Sequence, residues 1–154
     1  MERQLFKSSL VIFLLLGLSL LSIGVLYLSI DEFMPYHSEA VQADWSELDV
    51  NYQGLILGLL KALGGGAFVA GSATIYMAIA SFRKSAKPYR VLLPSVPTGY
   101  SALLCYATYT VYTSTPGNPP LLLTVIYVVM GLVASVLLTF SIRGHDSSQN
   151  TQIE

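Results

Sequence analysis

Charge is scarce in this chain. Lys, Arg, Asp and Glu make up 11% of its 154 residues, less than half of the roughly 25% found in soluble domains. A water-facing surface of ordinary composition is thereby excluded. Cysteine occurs once, as Cys105, so no intramolecular disulfide forms and redox compartment is not encoded. Its place inside an apolar run reads as a small buried residue, with a reactive thiol as the alternative. No basic patch is interleaved with aromatics, which argues against a nucleic-acid partner. The net charge of −1 says little, because the charges are segregated along the chain.

What is abundant is apolar. Hydrophobic residues make up 53% of the chain, and the mean hydropathy is +0.60. Four apolar runs stand out, at about 9–30, 51–82, 91–113 and 120–142. Each is about 20 residues or longer, enough to cross a hydrocarbon core as a helix that satisfies its own backbone hydrogen bonds. The first follows Arg3 and Lys7 but is long for a signal peptide, and no small-residue cleavage site follows it. Short alternating segments of a membrane barrel are absent from the sequence. The expected fold is an all-α membrane protein, a four-transmembrane-helix bundle occupying 1–143. Residues 144–154 are polar and predict a disordered cytoplasmic tail.

The charges orient the bundle. Arg3, Lys7, Arg83, Lys84, Lys87, Arg90 and Arg143 all fall on one side when four spans are threaded. The first loop holds Asp31, Glu32, Glu39, Asp44, Glu47 and Asp49, and no Lys or Arg. Basic loops stay in the cytoplasm, so both termini and the basic turn at 83–90 are expected there. The turn at 114–119 carries Pro116, Gly117, Asn118 and Pro119, a dense break signal. Pro120 suits the first turn of the last helix, and Pro94 and Pro97 suit the start of the third.

Four features are candidates for function. The second span carries Gly54, Gly58, Ala62, Gly66, Ala70, Thr74 and Ala78 at four-residue intervals, read as a small-residue packing stripe. Its expected partner is the fourth span, through Gly131, Ser135 and Thr139; a homodimer or a partner membrane protein is the alternative. Gly64, Gly65 and Gly66 add a flexible point but no phosphate loop. Lys61 is the only charge inside an apolar run, hence a functional candidate. The plainer reading puts it about 20 residues back from Arg83, at the outer boundary, snorkelling toward the acidic loop.

In the first loop, Val41, Trp45 and Leu48 share a helical face, which predicts a short interfacial helix with Trp45 at headgroup level. His37, Glu39 and Asp44 match no metal-ligand spacing. On the third span Tyr106, Tyr109, Thr110 and Thr113 share a face, and hydroxyls in an apolar setting need partners, so this face is expected to point into the bundle or a cavity. Together His37, Glu39, Trp45, Gln53, Lys61, Tyr106 and Tyr109 form the candidate ligand or partner site. No catalytic, cofactor or metal motif is legible.

The segments Phe33, Met34, Pro35, Tyr36, His37, Ser38, Glu39, Ala40, then Trp45, Ser46, Glu47, Leu48, then Gln53, Gly54, Leu55, then Lys61, Ala62, Leu63 and the glycines after it, and Thr115 through Pro120, resemble a group of small four-helix bacterial membrane proteins that look like the DoxX-type families. The resemblance covers most of the chain except the tail. It implies a helical bundle in the bacterial inner membrane and carries over no catalytic residue. The expected function is binding of a lipid, small lipophile or partner helix. The alternative is a small enzyme or transporter using His37, Lys61 and the loop carboxylates.

Overall fold

The computed structural model describes residues 2–81, 89 and 92–150. Those residues form helices joined by short loops, with no strand among them. Four long helices, α1 (Glu2–Ser29), α3 (Val50–Ser81), α4 (Ser95–Ser114) and α5 (Leu121–Asn150), are joined on one side by the short helix α2 (Pro35–Val41) and a 3₁₀ turn, Trp45–Glu47. Three of the helices are long and apolar enough to cross a membrane: α1, α3 and the Leu121–Ile142 part of α5. Their most apolar stretches are only 39%, 28% and 28% buried within the protein. So much exposed apolar surface requires an apolar surrounding.

α4 does not reach the same hydropathy, because it carries four tyrosines, four threonines and three serines over 20 residues. It begins at Ser95, with Pro94 capping it, rather than near 91. The basic turn at 83–90 lies outside the described residues apart from Tyr89, whose ring meets Tyr76 edge-on at 5.8 Å. At the other end of the chain, α5 continues as helix through Asn150, into the segment whose composition predicts a disordered tail. Extending an already nucleated helix adds a hydrogen bond for each residue fixed. Residues 151–154 lie outside the described part.

The bundle is organised by α1, which packs on α3 and on α5. The α1–α3 contact is antiparallel and rests on glycine. A Cβ built on Gly24 would lie 2.5 Å from the Phe68 backbone nitrogen. On Gly71 it would meet the Leu21 nitrogen at 2.5 Å and the Gly17 carbonyl at 2.7 Å, and on Gly64 the Tyr27 Cβ at 2.7 Å. Close backbone approach of this kind replaces the hydrophobic driving force that is missing between helices in lipid. Below it a core forms from Leu10, Phe13, Met77, Leu93, Ala134 and Leu138, and a second from Leu16, Leu20, Ala70, Leu104 and Tyr127.

The four-residue stripe of α3 is therefore not one interface. Ala70, Thr74 and Ala78 are buried, but Gly54, Gly58 and Ala62 are exposed, and nothing lies within 4 Å of a Cβ built on Gly54 or Gly58. At 3.6 residues per turn each four-residue step advances about 40° around the helix, so a long stripe winds off its face. Seven-residue steps drift by only about 20°. The contact glycines are accordingly seven apart: Gly17 and Gly24 on α1, Gly64 and Gly71 on α3. The partner also differs from expectation. α3 packs on α1, whereas Gly131 of α5 lies against Thr98 of α4.

Gly24→Ala should lower the melting temperature in detergent, because the methyl group would collide with backbone and force the helices apart, at about 1–3 kcal/mol. Gly58→Ala should leave it within error. Equal melting of the two variants would refute the glycine contact.

Candidate functional site

The first loop folds back over the end of the bundle. α2 starts at Met34, whose N–H donates to His37 Nδ1 at 3.0 Å, so a histidine takes the place usually held by Glu or Gln in a capping box. α2 stops at Gln42, which adopts the left-handed conformation with φ 57°. That break separates Val41 from Trp45, so the single interfacial helix expected there is instead two short pieces. Trp45 turns back onto buried Phe33, ring centroids 5.0 Å apart and edge-on. Gln53 Nε2 donates to the carbonyls of Trp45 (2.7 Å) and Leu48 (3.2 Å), which fastens the loop to the start of α3.

α2 is also held from the opposite side. A Cβ on Gly117 would strike the Tyr36 carbonyl at 2.7 Å and the Ala40 Cβ at 2.8 Å. The Asn118 N–H donates to Glu39 Oε2 at 3.3 Å. Tyr36 and Tyr27 share a hydroxyl hydrogen bond of 2.5 Å. The loop after α1 and the turn before α5 thus form one cap at the same end of the bundle.

Beneath that cap is a cavity of about 220 Å³. All four long helices contribute walls, with Ile23 and Leu26 from α1, Leu60 and Leu63 from α3, Leu104 and Val111 from α4, and Leu123 from α5; Tyr27, Tyr36 and His37 close its loop end. Tyr100 explains why space remains there. Its ring packs against Gly66, where a Cβ would meet it at 3.0 Å, and its hydroxyl donates to the Leu63 carbonyl at 2.6 Å. α3 and α4 share a much smaller interface than α1 and α3. Tyr100 acts as a spacer between them.

Lys61 has a defined structural task. Its Nζ donates to the carbonyls of Leu28 (3.1 Å) and Ile30 (3.0 Å). Leu28 is in the last turn of α1 and Ile30 directly follows it, where carbonyls have no partner within the helix and the helix dipole is negative. Lys61 is therefore at the loop end of the bundle, and its partners are backbone carbonyls rather than Glu47 or Asp49.

His37 is the candidate residue that lines the cavity. Burial lowers its pKa from the ordinary 6.5. The geometry agrees, because a protonated Nδ1 would point a hydrogen at the Met34 N–H and lose the cap. The neutral ring therefore carries its proton on Nε2. Burial first, then the Tyr27 hydrogen bond, push the Tyr36 hydroxyl well above the ordinary tyrosine value, so it stays protonated.

Tyr106 and Tyr109 do not belong to this site. They are 71% and 54% exposed and face away from the bundle. Thr110 and Thr113 on the same face donate to the Tyr106 and Tyr109 carbonyls of their own helix, at 2.9 Å each, so these hydroxyls need no bundle partner. Cys105 is half-buried. Glu39, Trp45 and Gln53 hold the cap but do not line the cavity. Tyr27, Tyr36 and Tyr127, which line the cavity, and Tyr100 beside it lie outside the candidate site that the sequence suggests, because no periodic signal joins them. Among the described residues no three His, Cys, Asp or Glu side chains are grouped to hold a metal.

Comparison with protein-family models, with curated proteins and with solved structures finds no match for the chain.

Lys61→Met should destabilise the protein by about 1 kcal/mol, because it removes the charged donor from one part-buried and one exposed carbonyl at the end of α1. Lys61→Arg should recover most of that in detergent melts, and equal stability of all three proteins would remove the capping role. The sign of the His37 effect is also fixed. Its folded pKa lies below 6.5, so the unfolded chain binds the proton first and stability falls as pH drops below about 6.5. His37→Gln should flatten the melting temperature between about pH 7.5 and 5.5, ahead of carboxylate titration. A slope unchanged by that substitution would assign the dependence to another group.

Proposed function

We propose that this protein is a four-span membrane bundle, with its termini and the 83–90 turn in the cytoplasm, that binds a single-chain lipophile in the cavity beneath the α2 cap. The reading rests on the α1, α3 and α5 helices, on the segregation of basic residues, and above all on that cavity. Its apolar walls come from all four long helices, and a few uncharged polar groups, His37, Tyr27, Tyr36 and Tyr127 among them, line it. That is the general form of a small-molecule site. At about 220 Å³ it falls below the roughly 300–1,000 Å³ of drug-sized pockets, which favours one acyl chain or a small ring over a whole bilayer lipid. The narrow α3–α4 interface is the proposed route of entry from the membrane. The resemblance to DoxX-type families supports the same architecture in a bacterial inner membrane.

A lipophile-binding role is favoured over an enzyme or transporter built on His37 and Lys61. Lys61 is occupied by α1 carbonyls and His37 by the α2 cap, and they share no partner. A proton-transfer pair needs hydrogen-bond reach to a common reacting group.

Reporter fusions after Glu47 and Asn118 should be periplasmic, and those after Lys84 and His145 cytoplasmic; any other alternation defeats the topology. Native mass spectrometry of protein extracted in mild detergent should show a retained lipophile. Ala107→Trp and Val111→Phe, which add bulk to one wall, should each lose it without loss of folding. Retention by both variants would defeat the cavity as the site.

A further inference from the structure

The cavity's polar groups are all of one kind, and this bears on its occupant. Among its lining residues there is no Lys, Arg, Asp or Glu. The nearest cation by function, Lys61, already serves two carbonyls. Thr108 and Thr124 donate to the Leu104 and Leu121 carbonyls at 2.8 Å each, so their protons are engaged. Three donors remain. His37 accepts at Nδ1 and therefore offers Nε2–H. The Tyr27 and Tyr36 pair uses one hydroxyl proton internally and leaves the other. Tyr127, only 9% exposed, lines the cavity, and its hydroxyl has no hydrogen-bond partner among the described residues.

Resting on the lipophile-binding reading above, we infer that the occupant is a neutral lipophile with a hydrogen-bond-accepting oxygen, such as an ester or other carbonyl, and not a fatty carboxylate or a phosphate. A buried anion without a cation or a set of paired charges is strongly disfavoured. A cation would meet no carboxylate. A plain hydrocarbon would strip water from the free donors and leave them unsatisfied. The two oxygens of an ester can accept from donors at different points of the cavity, and the apolar walls take its chain. The burial that holds His37 neutral works in the same direction, because an imidazolium would have supplied the missing counter-charge.

The test is a competition in mild non-ionic detergent at about pH 7.5. The full chain is titrated with equal amounts of decanoic acid and methyl decanoate, and adducts are counted by native mass spectrometry. The ester adduct should exceed the acid adduct by about tenfold. His37→Leu and Tyr127→Phe should each lower the ester adduct about three- to tenfold, the range expected for one hydrogen bond. His37→Gln, which keeps a donor near the Nε2 position, should retain it. Because His37→Leu also removes the α2 cap, the Tyr127→Phe result and the His37→Gln rescue separate recognition from folding. An acid adduct equal to or greater than the ester, abolished by Ala107→Trp, would overturn the neutral-head inference and leave the cavity reading standing. Ester and acid adducts that Ala107→Trp does not alter would overturn both.

Discussion

The close approach of α1 and α3 over Gly17, Gly24, Gly64 and Gly71 is the constraint on which the other features depend. Where a Cβ would sit 2.5 Å from a backbone nitrogen, no side chain fits, and the two backbones fix each other's register. That register brings the end of α1 beside Lys61, one turn before Gly64. The ammonium then closes the Leu28 and Ile30 carbonyls, which would otherwise be orphaned at the apolar edge of the bundle. With α1 ended at Ser29, the chain turns at 30–34, and α2 is delivered across the bundle mouth rather than away from it. Tyr27, two residues before the end of α1, is thereby in position to meet Tyr36.

The same register accounts for the cavity. α3 is committed to α1, and α4 is committed to α5 through Thr98 and Gly131, so the ring of helices closes only where α3 meets α4. There the contact is an aromatic one. Tyr100 stands on Gly66 and holds the Leu63 carbonyl, spacing the helices by the thickness of a ring. A bulky aliphatic pair would have brought them together along their length. A spacer leaves an opening above it, toward the loop end, and the α2 cap covers that opening. Packing at close to crystal density is the rule in protein interiors, so the open volume is a consequence of this arrangement of neighbours and not of loose side chains.

Composition and run length carried the helical architecture and three of the span positions, because both depend on local hydropathy and length alone. Placement within the bundle was less legible. The four-residue stripe on α3 drew attention to glycine but assigned the wrong face, since its rotation of about 40° per step carries Gly54 and Gly58 outward; the informative spacing was seven. Tyr106 and Tyr109 do share a face, but it points outward, because Thr110 and Thr113 satisfy themselves on the preceding turn. His37 was singled out for its chemistry, yet its role depends on the Met34 backbone beside it and on Tyr27 nine residues before Tyr36, and no pattern in the sequence joins those three.

α4 bears most directly on the number of spans. Its low hydropathy comes from hydroxyl residues, but a hydropathy scale counts a hydroxyl as if it faced water or an apolar solvent unpaired. On α4, Thr108, Thr110 and Thr113 each donate to a carbonyl four residues back, and the Tyr100 hydroxyl is used by α3. Those groups are closed to the outside and cost far less in lipid than their scale values imply. The exposed tyrosines at 106, 109 and 112 lie in the half of α4 nearer the loop end, and aromatic rings with a polar tip favour the membrane–water interface. The pairing of these hydroxyls supports the proposed four-span reading, in which α4 is the span that falls short by composition alone.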